Sequence, residues 1–239
     1  IDGIEAKGNI GFADNYTAYN LGLGAGVNSD TVSAYITYDF SKHDELFGSD
    51  LDWSQSRDWV NNAPADTACQ PGSIRAGGVV YALPGRTAGL GNRCDLTEFW
   101  TFYPREEKHS ALASVSFDPG GPFSFAVKAY YVNRKNVSDG GPLNIAGGAT
   151  VTSANPFAAP VLASLPVPAT TGSYLFNLSP VFGNSTPQNT SMESWGITPT
   201  FKWNIGGGWQ ANGMFNYGVG DALYSGQILN ATPITAARR

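Results

Sequence analysis

Glu106, Glu107, Lys108 and His109 follow one another in "FWTFYPREEKH" (99–109), bringing carboxylates, an amine and an imidazole into one short stretch. Such a set does general acid–base chemistry only if two of its groups reach the same substrate proton. The stretch reads as the start of a strand, and consecutive strand residues point to opposite faces, so the four are not expected to converge. A charge network at a rim is expected instead. The two histidines, His43 and His109, have no nucleophile paired with them in the pattern. The chain is therefore read as no enzyme, with no catalytic residue. Cys69 and Cys94 are its only cysteines. With no His or further Cys at metal spacing they read as a disulfide, which implies an oxidising compartment. Neither a metal nor a cofactor is expected.

Binding chemistry has more candidates. "HDELFGSDLDWSQSRDWVNNAPADTACQ" (43–70) mixes six acidic residues with Trp53, Arg57 and Trp59. Aromatics and arginine make good anchors, so these three, joined by Trp100 and Tyr103, are the candidate ligand-binding residues. The competing readings are a solvated loop with no small ligand and, for Trp100 and Tyr103, membership of an aromatic row. A calcium site is disfavoured, because no D-x-[DN]-x-[DN]-G loop is present.

The elements that must hold these groups are strands. Seven segments, about 3–13, 16–28, 32–42, 105–118, 122–136, 191–205 and 208–221, alternate with a period of two. In one, Trp195, Ile197, Pro199, Phe201 and Trp203 alternate with Ser194, Gly196, Thr198, Thr200 and Lys202. Trp195 and Trp203 are eight residues apart, about 26 Å along a strand or roughly 20 Å of depth at a 40° tilt, close to the ~25 Å apolar band of a membrane barrel. Aromatics at both ends of an aliphatic stripe suit the two water–lipid interfaces. Short turns such as "NSDT" (28–31), "DPGGP" (118–122) and "GGG" (206–208) alternate with long links over about 44–104 and 138–190, as in barrels with short periplasmic turns and long outer loops.

Composition agrees. Only 14% of residues are charged while 13% are aromatic, and the mean hydropathy of −0.17 is compatible with alternating strands. The net charge of −5, with basic residues scattered, disfavours a nucleic-acid groove. The fold expected is all-β: a fragment of an antiparallel up-and-down transmembrane β-barrel of about seven long strands, an open curved sheet when isolated. The apolar stripe would face lipid, and Glu5, Lys7, Asp39, Lys128, Arg134 and Lys202 would face the lumen or a plug. Residues 1–239 are taken as one partial domain. With no initiator Met, no signal peptide and no recognisable cap, the chain is expected to be cut at both ends.

"GIEAKGNIGFADNYTAYNLGLGAGVNSDTVSAYITYDFSK", with "SANPFAAP" and "SMESWGITPTFKWNIGGGWQANGMFNYGVGD", resembles the N-terminal part of the barrel in TonB-dependent outer-membrane receptors. The resemblance lies in layout across the whole chain; plug and TonB box are absent from it. It implies a barrel of about 22 strands enclosing a plug, in the outer membrane of a Gram-negative bacterium. It further implies uptake of a scarce small ligand such as an iron–siderophore complex, with TonB and the chain's own plug as partners through segments outside this sequence. The alternatives are a passive porin-type channel and a secreted all-β glycan-binding module.

Overall fold

The computed structural model describes residues 2–55, 68–89, 91–145 and 148–229. The chain divides into two compact units, one drawn from residues 1–45, 103–138 and 189–225, the other from 46–102, 139–188 and 226–239.

The first unit is an antiparallel eight-stranded sheet. Its strands are β1 (Gly3–Ala13), β2 (Tyr16–Asn28), β3 (Val32–His43), β4 (Arg105–Phe117), β5 (Phe123–Asp139), β6 (Pro187–Gly206), β7 (Trp209–Met214) and β8 (Tyr217–Gly226). Neighbours in sequence are neighbours in the sheet from β1 to β7, β8 also pairs with β6, and no sheet is closed among the described residues. We call the end carrying residues 14–15 and 44–104 the loop end, and the other the turn end. At the turn end Ser29 N–H donates to the Val32 carbonyl and Gly120 N–H to the Asp118 carboxylate. The β6–β7 turn has three consecutive glycines at positive φ (101°, 63° and 82°), a conformation other residues rarely adopt.

The last stretch is split where a single strand over 208–221 was expected. Thr200 lies opposite Met214, so Pro199 faces Phe215. Proline accepts the Phe215 N–H at 3.0 Å but has no N–H to return. The ladder loses one bond there, and β7 and β8 are separated at Phe215–Asn216.

Register carries the alternation across the sheet. Tyr38 sits opposite Leu23 and Ala111, and Ala111 opposite Tyr131, all on one face. Ring contacts confirm that face elsewhere: Tyr19 with Phe40 (5.9 Å), Phe123 with Phe201 (6.4 Å) and Trp195 with Tyr217 (5.6 Å). The Phe201 ring occupies the space beside Gly213, where a Cβ would lie only 2.1 Å from it. None of these apolar side chains is buried; Trp195 is 42% exposed, Phe201 44% and Val115 50%. The opposite face is mostly polar; its apolar members include Leu112 and Tyr130, which face each other across β4 and β5, with Val132, Tyr35 and Met214. Tyr130 lies over Gly196, where a Cβ would meet its ring at 2.6 Å.

The second unit differs from the expectation of two long loops. Its five-stranded sheet runs, in order, through Ala149–Thr152, Thr171–Leu175, Ser73–Ala76, Val79–Ala82 and Thr87–Ala88. The two connections share this sheet, because Ser173, Tyr174 and Leu175 of one pair with Arg75, Ile74 and Ser73 of the other. A short helix, Ala159–Ala163, seats Leu162 (0% exposed) against Ile74 (0%) and Tyr81. Cys69 and Cys94 form a disulfide with their Cα atoms 5.7 Å apart. Nearby, Asn92 donates its backbone N–H to Ser73 Oγ (2.7 Å) and its side-chain amide to the Gly72 and Leu83 carbonyls. Apolar neighbours bring these segments together because each Å² of apolar surface taken out of water stabilises by about 25 cal/mol.

Candidate functional site

The polar face of the eight-stranded sheet gathers the ionisable groups. Three lateral rows cross β1 to β5 near the loop end. One holds Lys7, Gly22, Asp39, Ser110 and Val132; the next holds Asn9, Asn20, Ser41, Lys108 and Arg134; the outermost holds Gly11, Ala18, His43, Glu106 and Asn136. Adjacent strands are about 4.8 Å apart, so side chains within a row are neighbours. Glu5 lies one row toward the turn end, opposite Gly24. Lys128 faces Ser114 and Lys202 faces Asn212, both further toward the turns. Glu5, Lys7, Asp39, Lys128, Arg134 and Lys202 thus share one face, spread along its length.

In the outermost row Arg134 Nε donates to Glu106 Oε2 at 2.7 Å. The His43 ring stacks on Tyr103 (4.5 Å, 20° between planes), and Tyr16 tilts against both at 5.9 and 6.1 Å. Tyr103 therefore belongs to an aromatic trio that the sequence pattern did not assemble. Register puts Tyr16 and His43 on this face; the return of the chain at Tyr103 was not legible in the sequence. Asp44 accepts the Thr17 N–H at 3.0 Å and ties the end of β3 to β2.

The row expected not to converge does so in part. Glu107 and His109 are two apart and share a face, and their side chains meet at 3.4 Å. Lys42 Nζ lies 3.1 Å from the other Glu107 oxygen, and His109 Nδ1 lies 2.7 Å from the Tyr38 hydroxyl. Glu106 turns to the polar face instead, toward Arg134. Excluding convergence between consecutive residues overlooked the i, i+2 pair. The product is a charge network level with Tyr19 and Phe40 on the exposed face, continued by Asn133, which donates to Glu193 at 3.1 Å.

Trp53 and Trp100 lie in the second unit. Trp53, 57% exposed, stands edge-on to Phe102 at 5.3 Å and 88°. Trp100 lies over Gly141, where a Cβ would be 2.6 Å from its ring, and bridges to Gly140. Arg57 and Trp59, with Asp58 and Asp66, lie outside the described residues. Asp139 is a structural hub that the sequence did not single out: its carboxylate accepts the Gly141 and Thr186 N–H groups at 2.9 and 2.7 Å, closing the excursion between them.

Two depressions exist on the polar face near the loop end, of about 270 and 170 Å³, both bordered by Lys7, Gly22 and Asp39. A larger one of about 520 Å³ lies at the turn end by Lys202 and Asp118, where fewer charged groups point inward. Among the described residues no three His, Cys, Asp or Glu side chains gather to hold a metal ion, and no helix is long and apolar enough to cross a membrane. Comparisons with family models, with curated proteins and with solved structures find no match to this chain.

Proposed function

We propose that the eight-stranded sheet is part of the wall of an outer-membrane β-barrel in a TonB-dependent receptor that imports a scarce small ligand such as an iron chelate. The carrying observation is the exposed aromatic face. From the row of Tyr38 and Tyr131 to its turn-end aromatics (Phe117, Phe123, Trp203, Trp209) no Lys, Arg, His, Asp or Glu side chain lies on this face among the described residues. Patches of this extent are rare on soluble monomers. Lipid satisfies the patch, and water on the opposite face satisfies Lys7, Asp39, Arg134 and Lys202. The Lys42–Glu107–His109 network lies level with Tyr19 and Phe40, at the depth where a headgroup region would meet it.

Arginine substitution tests the orientation. Ile197→Arg should destabilise the vesicle-inserted sheet by about 2–4 kcal/mol, with Thr198→Arg markedly milder. Equal losses in denaturant titrations would overturn the barrel. Import is checked separately by iron-chelate uptake in cells lacking the gene. Uptake that falls and depends on the proton gradient supports a receptor; uptake that falls without such dependence points to a passive channel.

A further inference from the structure

The Lys7, Asp39 and Lys108 side chains border the same groove, yet among the described residues neither lysine closes an ion pair with the aspartate. Arg134 and Lys42, one row further out, do close on carboxylates. Gly22 lets Lys7 and Asp39 approach over the floor: a Cβ there would lie 2.7 Å from Lys7 Cε and 3.1 Å from Asp39 Oδ1. Around these charges stand Asn9, Asn20 and Ser41, and Asn20 donates to Asn9 at 2.8 Å, which leaves one amide donor pair and one carbonyl for a ligand.

We infer that this groove binds a small sugar acid, a polyhydroxylated carboxylate, through Lys7 and Lys108, with Asp39 accepting one of its hydroxyls. Two ammonium groups favour an oxyanion, since charge-assisted hydrogen bonds are roughly twice as strong as neutral ones. The carboxylate between them repels a multiply charged anion such as phosphate and requires a donor on the ligand. Amide and hydroxyl neighbours match further hydroxyls. The volume of about 270 Å³ falls below the roughly 300–1,000 Å³ typical of drug-sized ligands, which limits the occupant to about the size of one sugar. The adjoining depression, lined by Glu5, Thr37 and Gly24, continues toward the turn end and offers a second acceptor along the same track. The site rests on the reading that this face meets water.

The chain is reconstituted in phosphatidylcholine vesicles and titrated calorimetrically with gluconate, sorbitol and inorganic phosphate. Gluconate should bind, with sorbitol and phosphate far weaker. Lys7→Gln and Lys108→Gln should each weaken gluconate by about tenfold, the loss of one charged hydrogen bond, while Lys202→Gln leaves it unchanged. Asp39→Asn should admit phosphate, a gain that misfolding does not produce. Equal affinity for sorbitol, indifference to both lysine substitutions, or no gluconate binding would overturn the site. A sheet that passes the Ile197/Thr198 comparison but binds no gluconate overturns the groove alone. One that fails it yet binds gluconate through both lysines overturns only the barrel.

Discussion

The two units use apolar residues in opposite ways. Every buried apolar residue among those described, from Cys69 and Ile74 to Leu165 and Leu175, belongs to the second unit. The eight-stranded sheet has larger apolar side chains, including Trp195, Phe201 and Trp203, and buries none of them. The second unit has a core of its own, a disulfide and carbonyls met by Asn92. The sheet has its ladders, a few ion pairs and ring contacts, and an exposed apolar face. One hydrophobic effect accounts for both, provided that the solvents differ. The unit with a core excludes water from within, whereas the sheet, on our proposal, lets lipid do so from without.

Removing core volume sharpens the contrast most. Leu162→Ala should destabilise the second unit by about 2–5 kcal/mol, through lost transfer energy and the cavity left behind. Ile197→Ala, on the exposed face, should have far less effect on the sheet in the same thermal or denaturant melt. Comparable losses would mean that the exposed face is packed against protein after all. Next in size is the disulfide. Cys69→Ser should lower the stability of the second unit by about 3.5 kcal/mol on the chain-entropy relation for a 25-residue separation, and hydrogen exchange should localise the change to that unit. Exchange rising equally in β1 to β5 would contradict two separate units.

The smallest effect is one of pH. Burial holds the Tyr174 phenol above its ordinary range, with the Arg86 guanidinium pulling the other way. A raised folded value means that the stabilisation is complete below the unfolded phenol's titration and is lost as pH rises through the folded one. The second unit should therefore weaken at strongly alkaline pH, and Tyr174→Phe should flatten that part of its stability profile. An identical alkaline profile in the variant would remove Tyr174 from the explanation.

Long alternating strands were legible because period two persists over ten or more residues. β1 and β2 match the expected bounds, and β3 to β5 differ at their ends by a few residues. The break at Phe215 was marked by Pro199, but its effect depends on which residue faces the proline, and only pairing decides that. Strands such as Ser73–Ala76 and Val79–Ala82 are four residues long, too short for a period to stand out from a loop. The site followed the same rule. Parity put Lys7, Asp39 and Arg134 on one face, but their distribution among rows, Lys108 on the same groove as Lys7, and Tyr103 against His43 all required register.

By itself, then, the amino-acid order determined which residues share a face in each long strand, because side-chain direction along extended backbone alternates whatever the neighbours are. Tertiary structure alone decided that Leu175 meets Ser73 and that residues from two distant connections share one core. Such contacts join segments about a hundred residues apart, and no local period records them. Their partners are selected only when the chain closes those loops and the buried surface outweighs the entropy of closure.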